Sequence, residues 1–169
     1  MRHLSDLVES AKQKKTRKLV LAAAGDEDAL LAVKNAVAEG LIEPVLVGNM
    51  LNVNIIAKSI DFDISGFESY HEEDKYLASR KAVELIREGK AEILMKGAVS
   101  TGSMMKAVLD KENGLRKGDT LSHVAIFESP YYHKLLGVTD AAMNVNPELE
   151  TKIAIIQNAI EVFHKLGIH

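Results

Sequence analysis

The sequence predicts an α/β protein built as a three-layer, mostly parallel sheet, and three observations point to it. Short apolar runs alternate with segments of helical periodicity as far as Leu109. The runs are nearly continuous in apolar residues, as strands covered by helices on both faces require. One of them, Ile93-Leu94-Met95, leads into a turn bearing Gly97 and Gly102 and then a helix around Met104, Met105, Ala107, Val108 and Leu109.

Taken in order, Ser5 is placed to cap a short helix with the apolar face Leu4, Leu7, Val8 and Ala11. The cluster Lys12, Lys14, Lys15, Arg17 and Lys18 that follows suits a helix C-terminus and faces water. Leu19 to Ala24 reads as a buried strand. A helix begins at Asp26 or Glu27, carries Leu30, Leu31, Val33, Ala36 and Val37, and stops at Gly40. The acids Asp26, Glu27 and Asp28 belong to that helix's first turn rather than to a metal site. Pro44 to Val47 is the next strand, and Gly48-Asn49 turns into a weaker helix around Leu51, Ile55 and Ile56. No element is defined from Phe62 to Tyr70. A helix over Glu72–Glu88 follows, with Ala78, Ala82, Leu85 and Ile86 on one face and Gly89 as its stop.

Beyond Leu109 the pattern changes. The polar stretch Glu112–Asp119 marks a boundary, placing residues 1–118 in a first α/β domain and 119–169 at the start of a second. Leu121–Phe127 and Lys134–Asp140 read as strands, and so short a connection makes them antiparallel, in a mixed sheet or a new one. Asn146-Pro147 has the residue types of a helix cap and first turn. Leu149, Ile153, Ile156, Ile160 and Phe163, widened by Ala154, Ile155 and Val162, then form a stripe expected to face a core, and Gly167 ends the helix.

Composition limits the function classes. The 169 residues are 47% hydrophobic and 27% charged, with a formal charge of −3, which offers no general attraction to nucleic acid or an anionic membrane. There is no cysteine, so disulfides, thiolate metal sites and a cysteine nucleophile are excluded. The first residues lack an apolar signal core, and no run approaches the ~18 apolar residues of a membrane span. A cytoplasmic location is the expectation. His71, His133 and His164 show no metal-ligand spacing, so no metal is expected.

The turn after Met95 is the chemical centre. A Gly/Ser/Thr turn opening a helix presents unpaired N–H groups and the positive end of a dipole, a setting for phosphate. Lys96 adds a positive charge. Gly97 and Gly102 have the spacing of a nucleotide-binding P-loop, but Ser103 stands where that pattern demands lysine, which rejects it. In open parallel sheets ligands collect at the carboxyl ends of strands, where this turn lies.

Leu94-Met95-Lys96-Gly97-Ala98-Val99-Ser100-Thr101, Leu121-Ser122-His123-Val124 and Val138-Thr139-Asp140-Ala141-Ala142-Met143-Asn144-Val145-Asn146-Pro147, with Lys152 and Asn158 beyond, resemble the phosphate acetyl/butyryltransferase family in order and spacing. The butyryl branch is the closer match, and the similarity spans nearly the whole chain. The resemblance implies an isocitrate/isopropylmalate dehydrogenase-like fold of two α/β domains, with the second incomplete here, usually as a homodimer. It implies transfer of a short acyl group between coenzyme A and inorganic phosphate, with coenzyme A as a substrate and no permanently bound cofactor.

Under that resemblance the substrate-binding residues are Lys96, Gly97, Ser100, Thr101, Gly102, Ser122, His123, Thr139, Asp140 and Asn144. The Gly97–Gly102 amides and the Ser100 and Thr101 hydroxyls would hold phosphate. Ser122 would line the cleft. His123 stands between a cleft residue and a satisfied core histidine, Asp140 between a helix cap, an organiser of phosphate water and a cleft wall, and Asn144 between a carbonyl contact and a turn former. Met104 and Met105 are assigned to the core. The family's serine/arginine/aspartate catalytic cluster falls beyond the end of this chain, so the chain resembles an N-terminal portion with little activity alone and an exposed apolar surface. A non-catalytic phosphate or coenzyme A-binding or oligomerisation module is the alternative, as is another enzyme of the same fold, dehydrogenase-like or a fatty-acyl phosphate transferase.

Overall fold

Residues alternate between two cores along the central strands. In the computed structural model, which describes residues 3–168, strands β1 (Arg17–Ala22), β2 (Ile42–Gly48), β3 (Glu68–His71) and β4 (Ile93–Lys96) form a parallel sheet in the order β3-β2-β1-β4. Leu19, Leu21 and Leu46 meet Leu30 and Val33 of helix α2 (Glu27–Ala38) and Val53 and Ala57 of α3 (Met50–Ser59). Val20, Ala22, Val45 and Val47 form a separate core with Ala78, Ala82 and Leu85 of α4 (Lys75–Arg87) and Met104 of α5 (Thr101–Val108). The period of two in a strand sends neighbours to opposite faces, so these clusters define the three layers.

The connections locate the functional end. Helices α2 and α3 carry the chain from β1 to β2 to β3, and α4 then returns it to the other side of β1, where β4 pairs Ala22 with Lys96. The order of strand addition therefore reverses between β1 and β4, and a crevice at their carboxyl ends is the usual ligand position of such sheets.

Local chemistry sets the helix starts. Asp26 accepts the Ala29 N–H at 2.8 Å, Asn49 those of Leu51 and Asn52, and Asp74 those of Tyr76 and Leu77. Gly40 and Gly89, each at φ +72°, end α2 and α4 in the left-handed conformation that glycine tolerates. Helix α4 starts later than the sequence implied because Asp74 holds its first turn. Within Phe62–Tyr70 lies most of the missed strand β3, whose Glu68, Ser69 and His71 carry no apolar signal and which pairs only with β2.

The chain divides into two compact units, Lys15–Arg116 and, together, Met1–Lys14 with Lys117–His169. The second comprises α1 (Leu4–Lys12), an antiparallel two-stranded sheet of β5 (Val124–Ser129) and β6 (Tyr132–Thr139), and α6 (Leu149–Lys165). A new sheet, not a mixed one, begins here. Helix α1, placed by sequence in the first domain, groups with this unit, where the Glu128 carboxylate accepts the Leu4 N–H at 2.7 Å. Its cap is His3 rather than Ser5, with the Asp6 carboxylate accepting the His3 N–H.

Two expectations about α6 are corrected. Asn146 adopts φ +57° and lies outside the helix, whose cap is Glu148. Leu149 at 65%, Ile153, Ile156 at 55% and Ile160 of the stripe expected to face a core are exposed, while Phe163 is half-buried and Ile155, at the stripe's widened edge, and Ala159 are the buried positions. Gly137 selects that face: a Cβ there would stand 2.1 Å from the Phe163 ring, so only glycine lets α6 seat on β6.

Candidate functional site

The turn after β4 is divided into a packed half and an open half. Gly97 N–H donates to the Ala22 carbonyl at 2.9 Å, Ala98 N–H to that of Ala23 at 2.7 Å, and Val99 N–H to that of Gly97 at 2.8 Å. These bonds lash the turn to β1. The N–H groups of Ser100, Thr101 and Gly102, at the N-terminus of α5, have no protein partner among the described residues, and all three residues are exposed. The anion-holding set expected over Gly97–Gly102 is therefore reduced to its second half.

The glycines follow the same division. A Cβ on Gly97 would lie 2.5 Å from the Ala23 carbonyl oxygen, so this glycine answers to strand packing rather than to ligand approach. A Cβ on Gly102 would meet nothing within 4 Å. The Ser100 hydroxyl, expected to touch phosphate, is spent as the cap of α5: it accepts the Ser103 N–H at 3.1 Å and bonds the Ser103 hydroxyl at 3.0 Å. Lys96 curls over the turn, its ammonium donating to the Val99 carbonyl at 2.9 Å and the Gly97 carbonyl at 3.2 Å. Two of its three N–H bonds are used and one is left.

The basic run near the N-terminus contributes at the other end of the strands. Arg17 pairs with Glu92, and Lys18 with Glu43 at 3.3 Å and Glu68 at 3.8 Å, all where β1, β2, β3 and β4 begin.

A second polar cluster lies within the unit containing β5 and β6. Asp140, just past β6, accepts the N–H groups of His123 at 3.1 Å, Met143 at 3.3 Å and Asn144 at 2.8 Å, and the Asn144 side-chain amide. Burial pushes this carboxyl upward, but the Asn144 side chain and then the three backbone donors outweigh it and hold it below the usual carboxylate range. Asn144 also donates to the Leu121 carbonyl at 2.9 Å, and the Thr139 hydroxyl to the His123 carbonyl at 2.9 Å. Thr139, Asp140 and the Asn144 amide nitrogen are thus engaged in holding the chain. The His123 imidazole is exposed rather than part of a core.

Sequence reasoning assigned no role to Asn158, whose amide donates to the Thr120 carbonyl at 3.2 Å and the Ser122 hydroxyl at 2.9 Å. Its signal is an asparagine beside Ile155 and Ala159 on the packed face of α6. Met104 is buried in the core and Met105 packs against it. Among the described residues no group of three or more His, Asp or Glu side chains could hold a metal, and no helix is long and apolar enough to cross a membrane.

Comparison with known proteins gives this geometry a lineage. The family described as phosphate acetyl/butaryl transferase matches residues 3–78 and 72–169. A phosphate butyryltransferase of Clostridium acetobutylicum is 40% identical over 168 residues, which are 99% of this chain and 56% of that protein. A phosphate acetyltransferase of Rickettsia typhi is 37% identical over 83% of this chain and 40% of its own length. The crystal structure of a branched-chain phosphotransacylase from Enterococcus faecalis superposes with a TM-score of 0.75 at 30% identity, covering 91% of this chain and 53% of that one. The chain thus spans about half the length of the relatives it matches. With the family matched along nearly all of its length, and with the parallel sheet those structures share, the chain belongs to the phosphate acetyl/butaryl transferase family.

Proposed function

We propose that this chain serves the transfer of a short acyl group, butyryl in preference to acetyl, between coenzyme A and inorganic phosphate. The observation that carries the reading is the open half of the β4–α5 turn. Three unpaired N–H groups stand at the carboxyl ends of β1 and β4, in a turn whose carbonyls also hold the Lys96 ammonium, in a chain of this family.

In the acyl phosphate direction, the coenzyme A sulfur attacks the acyl carbonyl. The C–S bond forms as the thiol gives up its proton, the bond between the acyl carbon and the phosphate oxygen breaks, and inorganic phosphate leaves with the electron pair and takes up the proton equivalent. Negative charge grows on the carbonyl and phosphate oxygens. The Ser100, Thr101 and Gly102 amides, the helix dipole and the remaining Lys96 N–H are arranged to stabilise it. Within their own unit, Ser122 and His123 are the residues the resemblance assigns to substrate, with Thr139, Asp140 and Asn144 holding their segment. No thiol base is assigned among these residues. A cytoplasmic homodimer of two α/β domains, divided near residue 118, completes the reading on the strength of the resemblance.

The test is an assay of phosphate-dependent coenzyme A release from butyryl-coenzyme A, by this chain and by one extended to the full length of its relatives. Activity in the extended chain that falls with Lys96→Met supports the reading. Phosphate binding without turnover in either chain favours a non-catalytic binding module. Failure to bind phosphate or coenzyme A at all rejects both.

A further inference from the structure

Segment 120–123 precedes β5 and is fastened by side chains from elsewhere in its unit. The Thr120 carbonyl accepts from Asn158, the Leu121 carbonyl from Asn144, and the His123 carbonyl from the Thr139 hydroxyl. The His123 N–H is taken by Asp140. A backbone carbonyl can only accept, so the contact with Thr120 fixes which end of the Asn158 amide faces this segment. The same nitrogen lies 2.9 Å from the Ser122 oxygen, so Asn158 donates there as well, and both of its hydrogens are used.

The Ser122 oxygen is thereby held as an acceptor on its inner side, and its own hydrogen has no protein acceptor among the described residues. We infer that Asn158 is a positioning residue that turns Ser122 into an outward hydrogen-bond donor for an anionic phosphate or acyl-phosphate oxygen. This rests on the phosphate reading above and deepens it. Every carbonyl named in the segment is satisfied internally, and the one carboxylate, Asp140, is surrounded by four donors. What the segment offers outward is donors, the hydroxyl of Ser122 and the exposed ring of His123.

The experiment is a titration of the whole nitrogen-labelled chain with inorganic phosphate, following the backbone signals of Ser122 and His123. Saturable shifts at both are expected. Ser122→Ala should weaken binding about tenfold, the size of one hydrogen bond to a charged group. Asn158→Ala should weaken it severalfold alone and not at all in the Ser122→Ala background, a coupling that a merely structural residue would not show. Asn158→Asp, which keeps the contact but takes the serine proton, should lose at least as much as Ser122→Ala. The Ile155 and Ala159 signals report that α6 stays seated. Additive losses, or unchanged affinity in Asn158→Ala or Ser122→Ala, overturn the inference. Shifts confined to Ser100–Gly102 overturn it while leaving the proposed function standing, and no saturable shift anywhere removes both.

Discussion

The ammonium of Lys96 donates to the carbonyl of Val99 at 2.9 Å, folding the only lysine of the β4–α5 turn back over its own loop. The charge is therefore held against the turn's own carbonyls instead of ranging through solvent. Lys96→Met should weaken inorganic phosphate binding by about 1.5–3 kcal/mol, as for a lost bond to a charged group. The side chain is exposed, so the melting temperature should barely change. Titration calorimetry beside a thermal melt checks both.

The two glycines of the turn should separate stability from binding. Gly97→Ala drives a methyl against the Ala23 and Ala22 carbonyl oxygens, at 2.5 and 3.0 Å, and neither is a flexible side-chain end. A cost of about 1–3 kcal/mol is expected in denaturant unfolding. Gly102→Ala has open space and no left-handed φ, so stability should hold or rise by about 0.4–1 kcal/mol. Phosphate affinity should nonetheless fall as the methyl crowds the approach to the amides.

Asp140 should give the chain an acid-sensitive contribution. Its native value is depressed, so the contribution is complete above the unfolded value of about 3.9 and disappears as the pH falls through the lower native value. Asp140→Asn turns an amide toward donors and should cost about 1–3 kcal/mol at neutral pH. The gap between variant and parent should narrow as the pH falls from the unfolded value of about 3.9 through the lower native one. Unfolding curves across that range decide it.

The faces of α6 can be told apart by truncation. Ile155→Ala should destabilise by about 2–5 kcal/mol, since the side chain is buried against its unit. Ile156→Ala, one residue on and 55% exposed, should change stability by no more than about 0.5 kcal/mol. A larger loss at Ile156 than at Ile155 would mean that the helix is seated the other way round.

These positions show what was legible in the sequence. Strands β1, β2 and β4 announced themselves as unbroken apolar runs, and Asp26 as a first-turn acid. β3 did not, because an edge strand built on Glu68, Ser69 and His71 has no hydrophobic pattern to read. On α6, residues 149-153-156-160 and 155-159 are both apolar at helical spacing, and the packed side is seen only where Phe163 lies against Gly137, distant in sequence. The turn's position could be read from its strand, glycine and helix order. Which of its amides stay open could not, because Ala22 and Ala23, more than seventy residues earlier, decide it. The same holds for Asn158, joined to Thr120 across 38 positions of chain.

The lashing of Gly97 and Ala98 to β1 has a thermodynamic consequence for any ligand. The open donors of Ser100, Thr101 and Gly102 follow a turn already tied down at the end of a central strand, so an oxyanion meets them without first having to freeze a wandering loop. Association should then be a single rapid step with little structural relaxation, its affinity set by charge and solvation rather than by the entropy of closing a lid.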